Sequence, residues 1–336
     1  MEAKVAKLSL ICPCYNEAEN LSAFCEHIFV VFADIIKTYP QSAFECIFIN
    51  DGSTDSTLSM LCALQNMKSD LQNNAFLLPP PPAECEIKII DFSRNFGKES
   101  AIYAGLQASS GDCVALIDVD LQDPPSMLKD MFAKWHSKKA DVIYARRISR
   151  TGEGFIRAKL SQCFYMLSNL ISAVRLESGV RDFRLMDRQV VNALLKMSEY
   201  HRFSKAMFEW VGFKRVGLAY EYIPRTQGSS GWSFWKLFKY AIEGFVSFST
   251  MPLRIAFVLG LVMSVLSLGY GCYAIISTLI FHNAVAGWTS LVAWIAFLGG
   301  VQLIILGIIG EYIARIYEQV KSRPIYIEKQ PRDTKD

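Results

Sequence analysis

Between residue 8 and about residue 145, short apolar runs alternate with longer stretches in which apolar side chains recur every three or four positions. The runs at 8–12, 46–50, 87–92, 114–118 and 142–145 have strand length, and the stretches between them have helix length. This rhythm predicts β-α-β units and a mainly parallel sheet, whose ligand crevice lies beyond the C-terminal strand ends. Polar residues follow most of these runs, namely Asn16 and Glu17, then Asp51, then Asp118 and Asp120, so they are expected to converge there. Four consecutive prolines, Pro79 to Pro82, exclude helix or central strand within 66–86 and predict an exposed insertion. Helical periodicity returns over 154–170 and 190–197.

The pattern then changes. Residues 255–281 are uncharged for 27 positions and residues 289–310 for 22. Each exceeds the roughly 20 residues that cross a hydrocarbon core, which predicts two transmembrane helices. Just before them, 232–248 mixes Trp232, Phe234, Trp235 and Phe238 with Lys236, Lys239 and Glu243. That mixture suits a helix lying in the membrane interface, although an ordinary core helix has the same periodicity. The connecting loop, 282–288, carries no lysine or arginine, whereas Arg254 precedes the first span and Arg315, Lys321 and Arg323 follow the second. This asymmetry places the N-terminal body and both termini in the cytoplasm. No signal-peptide pattern is present over 1–10. The expected division is a cytoplasmic domain over 1–230, an interfacial helix over 231–250, a hairpin over 251–313 and a tail over 314–336.

Composition narrows the classes. With 51% hydrophobic and 20% charged residues the chain is no disordered segment, and a net charge of +3 gives no support for wholesale nucleic-acid binding. The mean hydropathy of +0.22 owes much to residues after 250. Nine cysteines at irregular spacing fit a reduced, cytoplasmic setting, and the four scattered histidines complete no zinc set.

Two constellations carry candidate chemistry. Pro13-Cys14-Tyr15-Asn16-Glu17 ends the first run, and Asp51-Gly52-Ser53-Thr54-Asp55-Ser56 ends the second. Turns of this kind offer N–H groups and carboxylates to a base edge and ribose hydroxyls, though Asp51-Gly52 alone reads as a simple turn and Thr54 or Asp55 as a helix N-cap. The second constellation is Asp118-Val119-Asp120-Leu121-Gln122, whose hard oxygens two residues apart suit Mg²⁺ or Mn²⁺ against a diphosphate. Most isolated Asp-x-Asp pairs are solvated loop carboxylates; this one directly follows an apolar strand and precedes Pro124-Pro125. No G-x-x-x-x-G-K-[ST] or G-x-G-x-x-G is present, which disfavours P-loop enzymes and dinucleotide dehydrogenases.

These motifs, with Ser93-Arg94-Asn95-Phe96-Gly97-Lys98 and Asp182-Phe183-Arg184-Leu185-Met186, resemble the family 2 glycosyltransferases of GT-A fold. More narrowly, Glu243 to Thr250, Pro252-Leu253-Arg254, Leu298 to Leu303 and Gly310 to Tyr317 are similar to the polyprenyl-phosphate glycosyltransferases. The likeness is nearest to those that glucosylate bactoprenol and more distant from those that make dolichol-phosphate mannose.

The resemblance implies inverting transfer of a sugar, glucose being the one expected, from a UDP-sugar to undecaprenyl phosphate on the cytoplasmic membrane face, supplying a lipid-linked sugar for cell-surface glycan. It implies that Pro13, Tyr15, Glu17, Asp51, Lys98, Asp118 and Arg225 bind the donor, and that Asp120 and Gln122 ligate Mg²⁺ or Mn²⁺. Arg146, Arg157 and Ser161 would meet the acceptor phosphate, and Asp182 would stand at the reacting centre with Asp120. A flippase partner and a homo-oligomer are further expectations. Transfer of mannose or an aminopentose, and a silent sugar-nucleotide scaffold, remain open alternatives. The chain departs from the family at Arg181, usually Gly, and at Gly228-Ser229-Ser230-Gly231, which lacks the usual lysine.

Overall fold

The computed structural model describes residues 6–67, 78–148, 179–220, 251–281 and 287–329. The first part of the chain runs β1 (Lys7–Cys14), α1 (Ala18–Thr38), β2 (Ala43–Asn50), α2 (Thr57–Asn66), β3 (Cys85–Asp91), α3 (Lys98–Ala108), β4 (Cys113–Leu116), α4 (Met127–His136) and β5 (Val142–Arg147). It continues through β6 (Val180–Asp187), α5 (Arg188–Leu195), α6 (Ser204–Trp210) and β7 (Arg215–Tyr220). All five predicted strands form, and β6 and β7 were not foreseen. The predicted helices at 154–170 and 232–248 lie outside the described residues.

The seven strands make one sheet in the order β3-β2-β1-β4-β6-β5-β7. β1 to β4 are parallel, β6 is antiparallel to both β4 and β5, and β7 is parallel to β5. β2 is buried along all but its first residue, as a parallel strand covered on both faces must be. α1 buries Leu21, Phe24, Ile28, Phe32 and Ile35, one stripe at helical spacing. Phe32 stacks on Phe44 of β2 at 4.2 Å, and Phe24 meets Phe48 edge-on at 6.4 Å.

One charge lies inside this core. Glu45, near the start of β2, is fully buried. It accepts hydrogen bonds from Ser9 Oγ, from Ser110 N at 2.6 Å and from Ser110 Oγ at 2.8 Å, and pairs with Lys88 at 2.8 Å and Lys7 at 3.0 Å. Burial opposes its ionisation, but these partners outweigh it and hold the carboxyl well below the usual carboxylate range. The cluster ties the N-terminal ends of β1, β2 and β3 together, at the end of the sheet away from the crevice.

Among the described residues, 6–220 with 324–329 form one compact unit and 251–323 a second. The second comprises α7 (Met251–Phe281) and α8 (Trp288–Val320). Leu253–Tyr273 and Phe297–Val320 are long and apolar enough to cross a membrane, with mean hydropathies of 2.1 and 1.8. Phe257, Leu268 and Leu303 are 70%, 73% and 71% exposed, a surface suited to lipid and costly in water. α8 continues ten residues beyond Gly310, where the uncharged stretch ends, and there carries an Arg315–Glu311 ion pair at 3.3 Å.

Candidate active site

The loops after β1, β2 and β3 are stitched into one floor. Asn16, with φ of 56°, donates its N–H to Ser53 Oγ at 3.0 Å and accepts from Thr54 N at 2.8 Å. Asp55 accepts from Thr57 N at the start of α2 and from Ala18 N at the start of α1, so one carboxylate serves two helix N-termini. The Glu17 N–H donates to Thr57 Oγ1 at 2.9 Å, and Tyr15 stands 49% exposed above this floor.

Asp51 is buried and receives Phe96 N at 2.6 Å and Gly97 N at 3.0 Å, which fixes the loop entering α3. Burial raises its carboxyl above the ordinary value, against the pull of those N–H groups. Gly52 is required beneath that loop. Its φ is +67°, and a Cβ there would lie 2.5 Å from the Arg94 carbonyl carbon.

The centre of the site comes from the register of β6. β4 and β6 pair antiparallel with Leu116 opposite Arg184. Continuing that register past the strand end sets Asp182 across from Asp118. Lys98, the first residue of α3, lies between them, its ammonium 2.7 Å from Asp118 Oδ2 and 2.6 Å from Asp182 Oδ2. Burial alone would lower the lysine's affinity for its proton, but the two carboxylates hold it charged well above the usual lysine range. Burial likewise opposes a charged Asp182, yet Lys98, Lys205 and Arg184 keep it well below the carboxylate range. Asp118 is raised instead, by burial and by Asp182 and Asp120. Lys98 is thus shared between two carboxylates, of which Asp182 has the further support of Lys205 and Arg184.

Beyond Asp118 the chain turns through Leu121, at φ of 55°, and the Gln122 N–H donates to Asp120 Oδ1 at 3.2 Å. Gln122 Oε1 accepts from Arg181 at 2.9 Å, and its buried amide nitrogen has no partner. Arg181 also pairs with the buried Asp123 at 3.1 Å, and Asp123 accepts from the Tyr220 hydroxyl. Arg146 is exposed on β5, opposite Val180. Arg157, Ser161 and Arg225 lie outside the described residues.

Sequence reasoning gave Arg184 and Asp123 no role of their own. Arg184 is 2% exposed, lies 3.8 Å from the centroid of the Phe208 ring and donates to the carbonyls of Asp182 and Arg181. It thereby fixes the backbone that presents Asp182. The available signal was the alternation of Asp182, Arg184 and Met186 along one side of β6.

An open sheet with stitched loops and a carboxylate pair at its C-terminal edge is the layout of a GT-A nucleotide-sugar transferase. The chain belongs to glycosyltransferase family 2, whose model matches residues 9–195, and the model of the GtrB C-terminal hairpin matches residues 251–316. The chain is 41% identical over 323 residues to the SfII prophage-derived bactoprenol glucosyl transferase of Shigella flexneri, covering 96% of this chain and 97% of that one. It is 40% identical over 321 residues to an uncharacterised glycosyltransferase of Synechocystis, covering 96% and 94%. A solved mannosyltransferase of Pyrobaculum calidifontis, in complex with GDP-mannose and Mn²⁺, aligns with 95% of this chain and 89% of its own at 12% identity and a TM-score of 0.45.

Proposed function

We propose that this protein transfers glucose from UDP-glucose to a polyprenyl phosphate at the cytoplasmic face of a membrane. The observation that carries the reading is the joining, in one chain, of the Asp118–Lys98–Asp182 centre to an apolar hairpin, in a sequence alike along almost its whole length to bactoprenol glucosyl transferases. An acceptor phosphate oxygen forms a bond to the anomeric carbon as the bond from that carbon to the diphosphate breaks, and UDP leaves with the electron pair. A phosphate monoester is mostly dianionic at neutral pH, its second ionisation lying near pH ~6, so positioning and charge neutralisation do most of the work.

Asp182, held ionised by Lys98, is a poor proton acceptor, and its role is to orient Lys98 and the reacting groups. Pro13, Tyr15, Glu17 and Asp51 line the nucleoside side, Lys98 and Asp118 the diphosphate side, and Arg225 helps close over it. Arg146, Arg157 and Ser161 receive the acceptor phosphate.

The donor set also fits a divalent cation of the Mg²⁺ or Mn²⁺ kind. Asp120 offers a hard oxygen beside Asp118, and among the described residues no group of three His, Cys, Asp or Glu could hold a metal alone, so diphosphate oxygens and water would supply the remaining ligands. When bound, such an ion supplies Lewis-acid stabilisation of charge on the departing diphosphate. Gln122 Oε1 accepts one hydrogen bond, from Arg181, and its second lone pair would serve the ion.

The arginine and lysine asymmetry around α7 and α8 supports a multi-pass cytoplasmic topology. A product made on that face needs a flippase before use outside. The test is a donor screen in membranes with radiolabelled UDP-glucose, UDP-aminopentose and GDP-mannose. Label extracted into the organic phase from UDP-glucose alone is the expected result. Label from another donor in its place, or none from any, overturns the reading.

A further inference from the structure

β3 is an edge strand of the sheet, and its far end is covered by a short segment that follows α8. Phe92 and Glu328 form an antiparallel bridge; Ser93 N donates to Ile327 O at 2.9 Å and Lys329 N to Asp91 O at 2.8 Å. The Tyr326 ring stacks on Phe92 at 4.8 Å, and its hydroxyl donates to Gln107 of α3 at 3.1 Å. Lys329 Nζ lies 3.2 Å from Asp91 Oδ2, while Asp91 Oδ1 accepts from Asn50 Nδ2 at 2.6 Å.

These contacts fall on the loop that builds the donor side. Phe92 is fully buried and meets Phe96 edge-on at 5.7 Å. Phe96 and Gly97 give their N–H groups to Asp51, Arg94 and Asn95 lie over Gly52, and Lys98 begins the link to Asp118 and Asp182. The loop's N-terminal end is thus gripped by 326–329 and its C-terminal end by the site carboxylates. An edge strand needs only a cover, and a charged or irregular segment would serve. Here the cover instead presents an aromatic ring to the aromatic pair beneath the loop and a lysine to the aspartate that anchors Asn50.

We infer that residues 326–329 are a positioning element of the donor site, holding 92–98 in the conformation that binds the nucleoside diphosphate. The inference rests on the reading of this crevice as the donor site. Because the segment follows the apolar hairpin in the chain, donor binding depends on residues outside the stretch that matches the family 2 model.

The experiment uses the full chain in detergent. UDP affinity is measured by calorimetry with Mg²⁺, and KM is measured separately for UDP-glucose and for polyprenyl phosphate. Tyr326→Ala removes the ring, and Lys329→Pro removes both the N–H and the ammonium that hold Asp91, without touching the core. Each is expected to weaken UDP binding and raise the UDP-glucose KM about tenfold, leaving the acceptor KM within twofold. Tyr326→Phe keeps the stack and should recover most of the loss. If Tyr326→Ala does not fold, Lys329→Pro decides alone. UDP affinity within twofold of wild type in Lys329→Pro, or an equal rise in both KM values, overturns the inference and leaves the segment as an edge cover. Wild-type protein that binds no UDP would instead sink the donor-site reading.

Discussion

Asp120 and Asp182 are both acidic, and their surroundings assign them different work. Asp120 follows β4 on a turn with left-handed geometry at Leu121, where a carboxylate can meet a diphosphate-bound cation. Asp120→Asn keeps the size and removes the charge, so turnover at limiting Mg²⁺ is expected to fall at least a hundredfold while membrane insertion and thermal midpoint are preserved. Activity within twofold of wild type would remove Asp120 from the metal site. Asp182 is locked as an anion by Lys98, so its ionisation should leave no mark on the rate near neutrality. The acid limb of kcat/KM should instead follow the acceptor phosphate, with a midpoint near pH ~6. Asp182→Asn should therefore lower the rate while keeping that midpoint. Disappearance of the limb in the variant would make Asp182 a general base.

At the scale of the element, the buried Glu45 shows how a charge can organise three strands. The carboxylate accepts from two serines and pairs with two lysines, and loss of its charge should cost about 2–3 kcal/mol, the scale of hydrogen bonds to an ion. Its folded pKa is depressed, so this stability is present above the unfolded value near pH 4.5 and is lost as pH falls through the folded value. Glu45→Gln should lower the unfolding midpoint at pH 7, and the gap to wild type should narrow below about pH 4. A gap that does not change with pH would mean packing, not charge, is what Glu45 supplies. The same strands show what the sequence discloses. β1, β2 and β4 were legible because strands buried on both faces carry nearly continuous apolar runs, β5 from its buried start at 142–145, and the edge strand β3 from Ile87, Ile89 and Ile90 despite Glu86 and Lys88. β6 was not, since Arg181, Asp182 and Arg184 break its pattern; the Phe208 ring, two backbone carbonyls and the charges of Asp182 and Glu209 make the burial of Arg184 tolerable. β7 does alternate, Val216, Leu218 and Tyr220 facing in and Gly217 and Ala219 out, but its outer residues are small rather than polar, so the alternation is faint in the sequence.

Over the whole molecule, the residues proposed for the donor side stand in motifs that the sequence displays, while their junction does not. Asp118, Lys98 and Asp182 are scattered along the chain, and only the antiparallel β4–β6 register puts them together. The acceptor assignments Arg157 and Ser161 rest on the family likeness, since they lie outside the described residues. Topology is open to direct measurement. With the exposed Cys62 and Cys272 replaced, a cysteine placed in 282–288 should react with an impermeant maleimide on intact cells, and one beyond Lys329 should not. Labelling of the distal probe in sealed cells would overturn the cytoplasmic orientation.

The bridge between Phe92 and Glu328 also sets a timetable for synthesis. Glu328 is made about 240 residues after Phe92, which at ~5–20 residues per second leaves the β3 edge without its cover for roughly 12–48 s. During that interval both apolar helices must also leave the ribosome, so the nascent sheet carries an open template for strand addition while the chain is being handed to the membrane. Chains interrupted before residue 324 never close that edge, and they are the species that quality-control proteases should clear first.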